Sequence, residues 1–178
     1  MLSQKDKLRP RDRKWILIII LIPLIIVCVM FIPPKDFRIK SGTLVTYEGG
    51  AKEVIIPRTV KTISSKAFDS TVVDIIIVGG NVKKVEEGAF AYSKISKFIF
   101  KEGVEKIDEN ALRNTDPKEI LFPKSLKTGV SLDNLLTTEE VFVYLVKDSY
   151  IDKYYKDNPP KENIKIKYSY NERVKKYD

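Results

Sequence analysis

Apolar residues return through the middle of this chain at intervals of 22. Val54-Ile55-Ile56-Pro57 leads to Ala67-Phe68, Ile76-Ile77-Val78-Gly79 to Ala89-Phe90, and Phe98-Ile99-Phe100-Lys101 to Ala111-Leu112. Between them Val60, Val82 and Val104 fall in register, and Ile63, Val85 and Ile107 follow three residues later. A fixed period of this length marks stacked units, each too small to bury a core of its own. Every unit reads as a short strand (residues 53–56, 75–78, 97–100, 119–122) and a turn at Pro57, Gly79-Gly80, Gly103 or Pro123. A second extended piece follows, then an inward Ala-Phe pair and a polar return. The fourth unit keeps Ile120-Leu121-Phe122-Pro123 and Leu126, then gains one residue that moves its apolar pair to Val130 and Leu135. Terminal repeats are often atypical because they cap the stack.

The flanks alternate differently. Phe37-Arg38-Ile39 and Thr43–Tyr47 around Ser41-Gly42 predict a β-hairpin that caps the first coil. After the repeats, Val141–Leu145 predicts a strand, and Asp148-Ser149 caps a helix over Tyr150–Lys156 that ends at Asn158-Pro159-Pro160. Ile164–Tyr168 alternates as a last edge strand guarded by lysines, and Asn171–Asp178 reads as a frayed end.

Trp15–Ile32 is an uncharged apolar run of 18 residues. As a helix it spans roughly 27 Å, close to the hydrocarbon thickness of a bilayer. Pro23 suits a membrane span better than a soluble helix, and Trp15 suits the interface. No small-x-small cleavage signal follows, and Ile26-Val27 before Cys28 do not fit a lipoprotein anchor. The run therefore predicts an uncleaved anchor. Six basic residues before it, against Lys35, Arg38 and Lys40 after it, predict a cytoplasmic N-terminus and an extracellular remainder. The divisions are a basic tail (1–14), a transmembrane helix (15–33), a linker and hairpin cap (34–52), repeats (53–138) and a C-terminal cap and tail (139–178).

Composition narrows the function classes. The net charge is +8, but residues 1–33 hold six basic and two acidic groups and the remainder 26 and 22. Beyond the tail this is a mixed surface rather than a basic groove, so nucleic acid is not an expected partner. There is no histidine and one cysteine, Cys28, which excludes an intrachain disulfide, zinc sites built on those ligands and His-based triads. Glu86, Glu87, Asp108 and Glu109 occupy a loop column, where solvated turns account for them. Gly79-Gly80 has no helix and no lysine–serine pair behind it, so it is not a phosphate loop. No enzyme, cofactor or metal is expected.

Ile56-Pro57, Val60, Ile63 and Ala67-Phe68 resemble the consensus of BspA-like bacterial surface leucine-rich repeats, as does Phe122-Pro123 in the fourth unit. Gly42–Gly49 looks like the segment that often precedes such repeats, and Asp148-Ser149-Tyr150 before Tyr154 like the closing turn and helix. The resemblance covers about residues 37–158. It implies a mainly β, right-handed solenoid of parallel strands with a hairpin cap and a small C-terminal helix. It also implies a surface adhesion or interaction protein rather than an enzyme.

In the family pattern Val54, Ile76, Phe98 and Ile120 point inward, as do Ile56, Val78, Phe100 and Phe122. Alternation then turns Ile55, Ile77, Ile99 and Leu121 outward as an aliphatic ladder, with Ile75 beside it. An apolar strip on an open face suggests a partner surface. A weaker candidate is a basic strip of Lys61, Lys83, Lys84, Lys106 and Lys127, broken by Glu105. The expected protein is a single-pass bacterial surface molecule that binds a protein or envelope polymer near the bilayer through the ladder. The alternative is a structural subunit of a membrane complex that assembles through the span.

Overall fold

The computed structural model describes residues 35–177. The basic tail and the membrane span expected over residues 1–33 lie outside them. Among the described residues no helix is long and apolar enough to cross a membrane.

Strands β1 (Phe37–Lys40) and β2 (Thr43–Tyr47) form the predicted antiparallel hairpin. Its turn holds Ser41 at φ 47° and Gly42 at φ 76°. Positive φ at both positions matches the strand twist of a tight hairpin.

The repeats build two sheets. One runs in the order β3 (Glu53–Ile55), β5 (Val72–Val78), β7 (Lys94–Phe100), β9 (Glu119–Leu121), β10 (Val141–Tyr144), β11 (Ile164–Lys167). All its pairings are parallel. The 22-residue period is its register: Val54 pairs with Ile76, Ile76 with Phe98, and Phe98 with Ile120. The second sheet stacks β4 (Thr62–Ile63), β6 (Lys84–Val85) and β8 (Lys106–Ile107), with β2 added in parallel to β4. The hairpin thus caps the second sheet and leaves β3 as an edge of the first. β5 and β7 start three residues earlier than the sequence predicts, because Val73 and Ile95 form one more buried, paired column.

The core lies between the sheets. Phe68 and Phe90 stack at 5.2 Å, Phe90 meets Phe98 edge-on at 5.3 Å, and Phe100 and Phe122 stack at 5.6 Å. All five rings are fully buried. Each buried side chain of this size contributes about 1.5–3 kcal/mol of transfer free energy, and ring pairing about 0.5–1.5 kcal/mol more.

The extra residue of the fourth unit ends the second sheet. In place of a strand, the Thr128 hydroxyl accepts from the Ile107 N–H at 3.0 Å and donates to the Ile107 carbonyl at 2.8 Å. Helix α1 (Tyr150–Asp157) then closes that end. Ile151 and Tyr155 enter the core, and the Tyr155 hydroxyl donates to the Val130 carbonyl at 2.9 Å. Gly129 lies so close to Tyr154 that a Cβ there would clash with the ring.

The N-terminal turn of α1 surrounds a buried carboxylate. Asp152 accepts from the Asp148 N–H (2.8 Å), the Tyr168 hydroxyl (2.9 Å) and Lys156 Nζ (2.9 Å), while Ser149 caps the Asp152 N–H. Burial alone would raise its pKa, but the bonds from Lys156, Asp148 and Tyr168 outweigh burial and hold it below the ordinary value.

The predicted frayed end is a correction. Tyr170–Val174 form helix α2, and Lys175–Tyr177 continue it as a 3₁₀ turn. Tyr170, Val174 and Tyr177 are anchored on the first sheet. Their spacing, i, i+4, i+7, is one face of a helix. The lysines between them made the segment read as solvated.

Candidate interaction surfaces

The ladder is real in register and different in exposure. Ile55, Ile77, Ile99 and Leu121 pair in sequence across β3, β5, β7 and β9 on the face away from the main core. Ile55 is 62% exposed, but Ile77, Ile99 and Leu121 retain no more than 3%. They join Tyr144 and Tyr170 in a second apolar cluster, with Ile75, Val174 and Tyr177 packed against it. A free ladder of four rungs is therefore corrected to one open rung. The α2 segment covers the rest, because exposed aliphatic rungs and the apolar side of an amphipathic helical segment bury each other's surface.

Polar contacts rim this cover. The Tyr170 hydroxyl donates to the Phe100 carbonyl at 2.8 Å. Arg173 donates to the Tyr144 hydroxyl at 2.7 Å and lies 4.5 Å from that ring's centroid. Glu119 pairs with Lys97 at 3.0 Å and with Arg173 at 3.6 Å. Lys97 also donates to the Tyr177 hydroxyl at 3.2 Å. Burial disfavours the Lys97 charge, but the bonds to Glu119 and Tyr177 outweigh it and leave its pKa raised.

The basic strip is largely neutralised. Glu105 pairs with Lys127 at 2.9 Å and Lys83 at 3.4 Å, and Lys84 pairs with Glu86 at 3.1 Å. Lys127, then Lys83, hold the Glu105 carboxyl below its ordinary pKa. Lys61 and Lys106 are exposed and make no ion pair with another described residue. The loop carboxylates have structural work. Glu87 pairs with Arg113 at 3.7 Å, and Asp108 accepts from the Asn110 N–H at 3.0 Å. No cluster of three metal-binding groups occurs among the described residues.

A different surface escaped the sequence reading. Ser70, Tyr92 and Asn114 sit 22 residues apart, at the turns that lead into β5, β7 and β9. Their φ angles are 56°, 59° and 57°. This left-handed bend lets the three N–H groups reach the carbonyls of Ala91, Arg113 and Asn134 in the next coil. Asn tolerates such a bend and bulky residues resist it. Tyr92 nevertheless takes it although its side chain stays largely in solvent, 58% exposed. Val72 and Leu136, each 65% exposed, line the same groove of about 550 Å³. Asp74, Lys94, Asp116 and Lys118 supply its charged walls and form no ion pair with other described residues. The available signal was the misfit of Tyr92 among Ser70 and Asn114.

The model of the BspA type leucine rich repeat region matches residues 46–131, as six copies. These residues belong to the BspA-type leucine-rich-repeat family. The match begins at the end of β2 and ends in the fourth unit, so it takes in β3 to β9 and leaves β10, β11 and the two helices outside it. Membership carries the solenoid reading and points to a protein-interaction role. Such repeats are generally non-enzymatic. Among curated proteins none matches the chain.

Proposed function

We propose that this chain is a non-catalytic, single-pass bacterial surface protein whose extracellular repeats bind another macromolecule, a protein partner first. The anchoring part rests on Trp15–Ile32 and on the charge asymmetry around it. Binding through the free ladder, as the sequence suggested, is reduced to Ile55, because the chain's own end occupies the other rungs.

The observation that carries the binding part is Tyr92. Local strain at a residue left mostly in solvent is a mark of function. Tyrosine is also a frequent interface anchor, since its ring offers apolar area and its hydroxyl a bond. Val72 and Leu136 beside it give an apolar centre, and Asp74, Lys94, Asp116 and Lys118 a polar rim, which is the usual anatomy of an interface. Charges of both signs select neither a polyanion nor a polycation.

Proximity labelling from the repeat domain in the native organism tests this with Tyr92→Asn, which suits the bend and removes the ring. We expect equal or higher thermal stability and loss of specific neighbours from the labelled set. An unchanged set, at equal surface abundance, would overturn the role of Tyr92. Protease added to intact cells tests the topology separately: digestion of the repeats supports an extracellular domain, and full protection refutes it.

A further inference from the structure

The covered ladder differs from an ordinary core in three ways. Its cover is short, and Tyr170 is its one fully buried side chain. Helix α2 has five residues, and its N-cap Ser169 makes no side-chain cap bond. Isolated helices of that length are unstable in water, so the segment owes its conformation to the surface it sits on. The second way is separability. The apolar cluster beneath the cover is distinct from the main core between the sheets. Lifting the segment would expose Ile77, Ile99 and Leu121 without opening the Phe68–Phe122 stack or breaking a strand pairing. Elements with few buried contacts lie at the low-stability end of a fold.

The third is length. The ladder runs on past the segment's anchors. Ile55 remains open, and a cavity of about 340 Å³ lies among Ile55, Pro57, Ile77, Val82, Arg58 and Tyr177. Glu53 and Ile55 also belong to an edge strand, β3, which among the described residues pairs only with β5. The cavity gives an incoming segment a foothold beside an occupied site.

We propose that the strand face is a docking groove for a short amphipathic helical segment of a protein, and that Tyr170–Tyr177 fill it in cis as an exchangeable ligand. The seated segment defines the chemistry of that partner. It presents Tyr170, Arg173, Val174 and Tyr177 at i, i+3, i+4 and i+7, the spacing of helix-in-groove recognition. The two tyrosines and the valine cover the aliphatic rungs. The arginine meets Glu119 and the Tyr144 ring, so a partner segment needs a cation at that position. A longer helix with further apolar positions would reach Ile55 and displace the resident segment. This groove is separate from the one at Tyr92, and either stands without the other.

A fluorescently labelled synthetic peptide of residues 168–177 probes the groove by anisotropy against the purified full chain. In the intact chain the cis segment competes, and the apparent affinity falls by the fraction of time the groove is open. Arg173→Glu in the chain loosens the cover by placing a carboxylate against Glu119. Tyr170→Ala does so by removing the buried ring. We expect each variant to bind the peptide at least tenfold more tightly than the unaltered chain does. The same Arg173→Glu change made in the peptide instead should abolish binding to the opened chain. Thermal unfolding by circular dichroism establishes that the variants retain the repeat fold. No gain in binding by folded variants would overturn the proposal. So would equal binding of the altered and unaltered peptides, which marks adsorption without recognition.

Discussion

Two apolar clusters flank the same sheet and arise in opposite ways. The cluster between the sheets is made mostly from columns of residues 22 apart, so to each column a coil supplies one ring or aliphatic group and receives the next coil's. The cluster on the other face joins the rungs Ile77, Ile99 and Leu121 to Tyr170, which is 49 residues or more beyond them. The first is repetitive, deep and closed by backbone pairing. The second depends on one terminal segment folding back. Equal burial therefore does not mean equal permanence: Phe100 and Ile99 are both fully buried, yet only Ile99 shares its cluster with the segment Tyr170–Tyr177.

The largest expected effect lies in the inner cluster. Phe100→Ala removes a ring that touches Phe90, Phe98 and Phe122. It should lower unfolding free energy by about 3–5 kcal/mol in urea denaturation. A loss below that of an ordinary surface change would mean the two clusters are not ranked as argued.

Asp152→Asn tests the junction between them, because Tyr168 ties the start of the terminal segment to α1 through that carboxylate. A cost of about 1–3 kcal/mol is expected from the weakened charge-assisted bonds. The same group sets a pH dependence. Its native pKa is depressed, so its stabilising contribution is complete above the unfolded value of about 3.9 and fades as pH falls through the lower native value. Thermal unfolding between pH 5 and pH 2 should decline less steeply in Asp152→Asn than in the unaltered chain.

Tyr170→Phe sharpens the outer cluster alone. It keeps the ring and removes the donor to the Phe100 carbonyl, with a cost of about 1 kcal/mol. Hydrogen exchange should rise in residues 169–177 and stay unchanged in β5 and β7. Faster exchange across the whole sheet would show that the cover and the core unfold as one unit.

Lys127→Ala should have the smallest effect, below that of each substitution above in chemical denaturation. Its partner Glu105 is exposed and has Lys83 as a second cation. A larger loss by chemical denaturation would restore weight to the basic strip.

The sequence by itself determined the stack. A 22-residue period in Val, Ile and Phe leaves one way to bury every unit, which is register pairing of like with like. The hairpin was legible from Ser41-Gly42 and alternation, and α1 from its Ser149 cap. The outward ladder also followed from alternation. Whether that ladder is bare or covered did not follow, because covering depends on where a segment about fifty residues away comes to rest. Its helical face was only three side chains long and was diluted by lysines and Arg173. The Tyr92 groove was hidden for another reason. A positive φ is a property of the coil corner, visible only once the chain has turned, and tyrosine carries no sequence mark of it. Local periodicity fixes contacts between neighbouring coils. Contacts that join a repeat to a non-repeating end are decided by the tertiary structure alone.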